Sequence, residues 1–190
     1  MAMAPTKSLP IDQFLTALAA KQPTPGGGAA AAISAAVGAA AASMAAAYTT
    51  RKKDVESGAA AKATDLITTL DVTPLLAAAD EDAEAYAALQ RTWKEPSMPP
   101  EEKKAIESRA LAIPTNLVEV CHSNIVKIRD FLPHCNPNIK SDAKVGMHQL
   151  AGAARAAYQT VLVNSPSEEE KARLRKLLKE IRDMEDDILS

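Results

Sequence analysis

The 190-residue chain has few aromatic residues, only two cysteines and no excess of positive charge. Aromatic residues make up 3% of the sequence while 47% of it is hydrophobic, so alanine supplies much of the apolar content. The formal net charge of −2 excludes the strongly basic surface that attracts nucleic acid. Cys121 and Cys135 are too few for a disulfide framework and indicate free thiols in a reducing compartment.

We expect neither a targeting segment nor a membrane-spanning segment in this sequence. Residues Met1 to Leu9 lack the long apolar core of a signal peptide, so we expect a cytoplasmic protein. The uncharged run from Ala29 to Ala47 is long enough to cross a bilayer. It consists mostly of Ala, Ser and Gly, however, and is poor in the Leu, Ile and Phe that drive insertion. We therefore expect a buried central helix and no association with a membrane.

Hydrophobic spacing predicts helices along the chain and no strand of any length. The length fits a single domain over 1–190, which we expect to be all-α, an antiparallel up-and-down bundle around the alanine-rich helix. Alanine faces pack closely but bury little area, at roughly 25 cal/mol per Å², so a second subunit would add burial. The predicted helices span about 11–22, 28–49, 55–70, 74–93, 101–128 and 141–163, with a C-terminal amphipathic helix within 165–190 and a kink or break at Pro114.

A glycine-rich turn, PTPGGG at 23–28, comes directly before the alanine-rich helix. Glycines at a helix start expose backbone N–H groups, and the helix dipole favours an anion there. They also let a ligand approach the backbone closely. The alternative is a tight turn without a ligand. The motif is not a P-loop, because no Gly-Lys-Ser/Thr sequence follows it.

An acidic segment, DEDAE at 80–84, lies in the middle of a predicted helix. Asp82 shares its helix face with apolar positions three and four residues apart, namely Leu75, Ala79, Tyr86 and Leu89. A carboxylate on an inward face must be paired, protonated or used in chemistry. The alternative is a solvated acidic patch.

Two further groups have simple structural explanations. Ser141 and Asp142 are common residues at a helix start, and capping would explain them, although helix N-termini also line pockets. The pairs Cys121-His122 and His134-Cys135 match no standard zinc spacing, so we expect no metal site. The sequence also contains no recognisable Ser-His-Asp or Cys-His arrangement.

Three motifs occur together and in a defined order: PTPGGGAAAAISAAVGAAAASM at 23–44, DEDAEAY at 80–86 and NIKSDAKVG at 138–146. In these motifs the chain resembles the cyclodeaminase/cyclohydrolase family. The family includes the cyclodeaminase domain of formiminotransferase-cyclodeaminase and stand-alone methenyltetrahydrofolate cyclohydrolases. The resemblance covers about residues 8–164 and leaves the last helix outside.

The resemblance implies a helical, homodimeric enzyme acting on one-carbon derivatives of tetrahydrofolate, with its site in a cleft near the subunit interface. By the family pattern, Asp82 is the first candidate for a catalytic residue and Asp142 the second. The positions that the pattern assigns to substrate binding are Thr24, Gly26, Gly27, Gly28, Lys52, Lys53, Asn138 and Ser141.

The reaction we expect is hydrolysis of 5,10-methenyltetrahydrofolate to 10-formyltetrahydrofolate. The methenyl bridge is cationic, so a carboxylate would stabilise it and take a proton from the attacking water. The glycine turn, with Lys52 or Lys53, would hold the glutamate carboxylates of the folate. This chemistry requires no metal and no redox cofactor.

Two alternatives stay open. The related reaction closes the ring of 5-formiminotetrahydrofolate with loss of ammonia and needs a general acid; the absence of a formiminotransferase domain from the sequence favours the cyclohydrolase. The second alternative is a protein that has lost catalysis and persists as a folate-binding or dimeric interaction protein. Departures from the family pattern at Ala47, Lys144 and Thr160 motivate it.

Overall fold

The computed structural model describes residues 5–189 of the chain. Met1 to Ala4 and Ser190, the two ends of the expected single domain, lie outside the described residues. Within that range the chain forms eight α-helices, a short 3-10 turn at Thr6–Ser8 and no strand, which confirms the all-α prediction. The helices are α1 (Ile11–Ala19), α2 (Gly27–Ala47), α3 (Lys52–Glu56), α4 (Ala59–Thr69), α5 (Thr73–Lys94), α6 (Pro100–Phe131), α7 (Lys140–Val163) and α8 (Glu168–Leu189).

The structure corrects one predicted helix and narrows the prediction at a second position. The single helix expected over 55–70 is divided into α3 and α4, because Gly58 between them adopts a φ of +77°, which a right-handed helix does not contain. Of the kink or break expected at Pro114, the break does not occur, since α6 continues through this residue from Pro100 to Phe131. A proline removes one backbone hydrogen bond, and the neighbouring turns of this 32-residue helix hold the helix together.

The alanine-rich helix α2 lies in the middle of the bundle. It packs along α7 and also contacts α4, α5 and α6. By length and composition alone α2 would be able to cross a membrane. Eleven of its 21 residues are buried inside the bundle, and nine of those eleven are alanine, so the predicted buried central helix is present.

The helices α2 and α7 touch through their backbones where Gly38 meets Gly146. A Cβ added to Gly38 would lie 2.8 Å from the Gly146 carbonyl oxygen, and one added to Gly146 would lie 2.6 Å from the Gly38 carbonyl oxygen. The two helices run antiparallel, because the Asn136 N–H, ahead of α7, donates a 3.0 Å hydrogen bond to Thr49 Oγ1, just beyond α2. The C-terminal end of α2 therefore lies beside the N-terminal end of α7.

Charged side chains help to hold α8 against α7. The Glu185 carboxylate lies 3.0 Å from His148 Nδ1 and also accepts a hydrogen bond from Arg155. Burial alone would raise the pKa of Glu185, but these hydrogen bonds lower it overall. Lys144, one of the departures from the family pattern, donates from Nζ to the Ile188 carbonyl oxygen at 2.7 Å. That departure therefore connects α7 to the end of α8.

The cysteines and histidines do not gather at one site. Cys121 and Cys135 are both free and buried, and burial raises the pKa of Cys121 to about 12. His122 Nε2 lies 2.8 Å from the Glu180 carboxylate, and His134 Nε2 lies 2.7 Å from Lys62 Nζ. Within residues 5–189, no group of three or more His, Cys, Asp and Glu side chains is arranged to hold a metal ion.

Candidate active site

A cleft of about 1160 Å³ opens at the N-terminal end of α2. The glycine turn, α5, α6 and the C-terminal end of α7 line it. Pockets that bind small molecules measure about 300–1,000 Å³, so the cleft has room for a cofactor-sized ligand. Of the residues predicted to form a site, the structure brings Thr24, Gly26, Gly27, Gly28 and Asp82 together here.

Asp82 reaches from α5 to the start of α2. Its Oδ2 accepts a 3.1 Å hydrogen bond from the Ala29 N–H. This N–H belongs to the first turn of α2, where backbone donors have no acceptor within the helix and where the dipole favours negative charge. The sequence predicted an anionic ligand at this helix start, whereas in the structure the chain's own Asp82 carboxylate bonds there. The prediction that Asp82 faces inward is confirmed by this contact.

The glycines of the turn differ in what surrounds them. A Cβ on Gly28 would lie 1.9 Å from Asp82 Oδ1, so the carboxylate occupies the space that any other residue would need. A Cβ on Gly27 would have no atom within 4 Å, and Gly27 is exposed at the cleft. Gly28 is therefore needed for the packing of Asp82, while Gly27 leaves an open surface in the cleft.

Alanine substitution should separate these two glycines. We expect Gly28→Ala to displace Asp82 and to lower the free energy of unfolding by about 1–3 kcal/mol, as overpacking does. Gly27→Ala is the matched control, and its stability should stay within about 0.5 kcal/mol of the parent because its Cβ meets open space. Urea denaturation followed by circular dichroism measures both. Equal stability of the two variants would contradict the packing of Asp82 against Gly28.

Negative charge dominates the cleft. Burial raises the pKa of Asp82, and the hydrogen bond from the Ala29 N–H opposes part of that rise. Glu107 supplies a second carboxylate from α6 and lies 3.9 Å from Lys103 Nζ. The described residues that line the cleft include no Lys, Arg or His. The electrostatic field inside the cleft therefore favours a cationic group.

Sequence reasoning missed several side chains of the cleft. Trp93 follows Asp82 by eleven residues on α5, and this helical spacing would have placed it on the face that Asp82 was expected to share with Tyr86, which also lines the cleft. Gln159 and Asn164 come from the end of α7. They reach the cleft only because α7 runs antiparallel to α2, and no local sequence pattern predicts this arrangement of the two helices.

The other predicted site residues lie at the opposite end of α2. Asn136 ties the loop before α7 to this end through a 3.0 Å hydrogen bond from its Nδ2 to the Tyr48 carbonyl oxygen. Two of the predicted residues, Lys52 and Lys53, follow Tyr48 closely in the sequence. The other three lie in this loop or at the start of α7, namely Asn138, Ser141 and Asp142. At about 1.5 Å per residue, α2 separates its two ends by about 30 Å. One chain therefore does not bring Asp82 and Asp142 into the same cleft.

Local structural roles explain several of the polar residues at the C-terminal end of α2. Asp142 lies in the first turn of α7, where its charge complements the helix dipole, and Ser141 Oγ donates to it at 3.2 Å. Arg51 donates from Nε and Nη2 to the buried Asp54 carboxylate, each at 2.7 Å, and thereby lowers the pKa of Asp54. Lys52 is exposed and lies 3.9 Å from Glu56. These contacts fix the helix starts of α3 and α7.

Comparison with known proteins identifies a protein family and a solved structure of the same fold. The model of the family described as formiminotransferase-cyclodeaminase matches residues 10–183, which extends past Asn164 into α8. A crystal structure of formiminotetrahydrofolate cyclodeaminase from Thermotoga maritima shares the fold, with a TM-score of 0.80 and 20% sequence identity. The alignment covers 95% of this chain and 91% of that one. No curated protein matches the sequence.

Proposed function

Because the chain belongs to the formiminotransferase-cyclodeaminase family, we propose that its cleft binds a one-carbon derivative of tetrahydrofolate and hydrolyses 5,10-methenyltetrahydrofolate to 10-formyltetrahydrofolate. The observation that carries this proposal is the Asp82 carboxylate, held at the start of α2 in a cleft whose described lining has no cationic side chain. The methenyl bridge of the substrate carries a positive charge between N5 and N10. A fixed carboxylate beside that bridge stabilises the charge.

Asp82 also supplies the proton transfers that the reaction needs. Water adds to the bridging carbon and gives one proton to the Asp82 carboxylate, which leaves a neutral carbinolamine. The bond from that carbon to N5 then breaks, N5 takes the proton back from Asp82, and the hydroxyl proton leaves to solvent as the formyl group forms on N10. Burial raises the pKa of Asp82 and so brings its proton affinity closer to neutral pH, where a general base and acid is most effective.

Spectrophotometry tests the proposal directly. The absorbance of methenyltetrahydrofolate disappears as the ring opens, so purified protein should accelerate its loss over hydrolysis in buffer alone. No acceleration, with folate binding retained, would overturn the cyclohydrolase proposal and leave a cyclodeaminase or a folate-binding protein.

Formiminotetrahydrofolate cyclodeaminase is the second candidate function. The relative of the same fold is named for that reaction. Loss of ammonia needs a group that donates a proton to the leaving nitrogen, and a carboxyl with a raised pKa keeps its proton to higher pH. Ammonia release from 5-formiminotetrahydrofolate, measured on the same preparation, decides between the two reactions.

A catalytically impaired protein is the third candidate, and only one of the three departures that motivate it touches the cleft. Thr160 lines the cleft and stands where relatives often have asparagine. Ala47 ends α2 at the far end of the helix, and Lys144 holds the end of α8. The weight of this alternative therefore falls on Thr160, and restoring the family residue with Thr160→Asn should raise turnover if the alternative holds.

A homodimer forms, we propose, through the exposed face of α2. Val37 is 53% exposed and Met44 is 41% exposed, and the helix has no charged residue. Val37 is the middle residue of α2. In a symmetric dimer with its contact centred on Val37 and its two-fold axis perpendicular to α2, the two copies of α2 run antiparallel. The end of one subunit that carries Lys52 and Asp142 would then approach the cleft of the other, which itself lacks cations.

Val37→Glu should convert this dimer into a monomer, because the contact would bury two facing carboxylates without partners. Analytical ultracentrifugation should give twice 20.0 kDa for the parent protein and 20.0 kDa for the variant. Ile11→Glu is the control, since Ile11 is 78% exposed and belongs to α1 instead of α2. A parent protein that sediments as a 20.0 kDa monomer contradicts the proposal.

A further inference from the structure

Two aromatic side chains stand together on the wall of the cleft. Tyr86 and Trp93 form an edge-to-face pair, with ring centroids 6.2 Å apart and ring planes at 81°. Trp93 is 64% exposed and Tyr86 is 37% exposed, and both line the cleft. The fold gains little from Trp93 placed this way, because most of its surface remains in contact with water.

Aromatic residues are scarce in this chain, which makes their placement informative. The sequence has one Trp, three Tyr and two Phe. The two Phe and Tyr158 are buried, and Tyr48 is exposed at the other end of α2, outside the cleft. The only tryptophan is thus placed on a cleft wall and contributes nothing to the core. Exposed aromatic rings beside a carboxylate in a cleft are typical of a binding surface for a planar ligand.

The order of groups along α5 matches the order of groups in a folate. Tyr86 lies one helical turn beyond Asp82, about 6 Å along the axis, and Trp93 lies about 10 Å further on the same face. In a reduced folate the bridging one-carbon group lies between the pterin and the p-aminobenzoyl ring. When that group is at Asp82, one of the two rings extends along α5 toward Tyr86 and the other extends toward the glycine turn.

The polarity of the two sides decides which ring goes where. The glycine turn offers backbone groups and the Thr24 hydroxyl, which suit the many donors and acceptors of a pterin. The Tyr86–Trp93 side offers ring faces and edges, which suit a benzene ring. On the basis of the proposed folate function, we propose that Tyr86 and Trp93 bind the p-aminobenzoyl ring and so select a complete folate over a simple pterin.

Substitutions at Trp93 test the proposal in the full-length protein. Isothermal titration calorimetry measures the dissociation constant for 5-formyltetrahydrofolate, a stable reduced folate. Trp93→Leu keeps an apolar side chain but removes the ring, and we expect binding about tenfold weaker. Trp93→Phe is the matched control that keeps a ring, and its dissociation constant should stay within about threefold of the parent value. Circular dichroism checks that both variants keep their helices.

A tetrahydropterin without the p-aminobenzoyl group identifies the ring. The parent protein and Trp93→Leu should bind it equally, and absence of detectable binding to either supports the same assignment, because the missing ring then supplies the affinity. An equal loss of affinity for both ligands in Trp93→Leu overturns it. Unchanged binding of 5-formyltetrahydrofolate by Trp93→Leu overturns this inference alone, whereas no binding by the parent protein overturns the proposed folate function with it.

Discussion

Replacement of Asp82 by asparagine should lower turnover of the one-carbon folate about 100-fold or more, which is the usual contribution of a general base. The amide oxygen of asparagine still accepts the hydrogen bond from the Ala29 N–H and fills the same space beside Gly28. It neither carries the charge that stabilises the methenyl bridge nor takes a proton from water. Helix content by circular dichroism should therefore stay unchanged while the steady-state rate falls.

The pH dependence provides a second readout of the same substitution. Because burial raises the pKa of Asp82, activity that needs the ionised form should fall as pH decreases through a value above the ordinary aspartate range. The acidic limb of the profile should disappear in Asp82→Asn. Asp142→Asn, assayed in parallel, compares the two predicted catalytic residues. A larger loss in that variant would move the catalytic role to the other end of α2.

The second large effect concerns the crossing of α2 and α7. Gly146→Ala should lower the free energy of unfolding by about 3 kcal/mol, the upper end of the range for overpacked cores. The added Cβ would lie 2.6 Å from the Gly38 carbonyl oxygen and 2.8 Å from Ala42 Cβ. Backbone atoms cannot rotate away as a side chain does, so the two helices must move apart. Small domains have about 5–15 kcal/mol of stability in total, so the loss is large.

Gly152→Ala is the matched control for this crossing, because Gly152 lies on the same helix and a Cβ there meets no atom within 4 Å. Alanine restricts the unfolded chain more than glycine does, so this variant should gain up to about 1 kcal/mol. Urea denaturation of both variants measures the difference. Similar midpoints for Gly146→Ala and Gly152→Ala would mean that the two helices do not touch there.

The features that the sequence predicted well are those that local spacing controls. The long uncharged helix from the glycine turn, the all-α class and the inward face of Asp82 each follow from residues within one or two helical turns. Gly58 shows the limit of such reasoning. Its positive φ divides a segment whose apolar spacing continues across it, so the spacing alone predicted one helix.

Contacts between distant residues were beyond the reach of the sequence. Asp82 and Ala29 are 53 residues apart, and nothing near Gly28 indicates that a carboxylate occupies its missing side chain. The family motifs at 23–28 and 138–142 suggested one shared site, but the antiparallel arrangement of α2 and α7 places them at opposite ends of a single chain. Only the packing of whole helices decides such placements.

The composition of α2 has an entropic consequence for the cleft. Thirteen of its 21 residues are alanine and three are glycine, and these side chains lose no rotamer freedom when the chain folds. A helix of long side chains would lose up to about 2 kcal/mol for each one that becomes fixed. α2 thus becomes ordered almost entirely through its backbone, and the turn that begins it has few alternative side-chain conformations to sample. The floor of the cleft should therefore need little rearrangement of side chains when a ligand arrives.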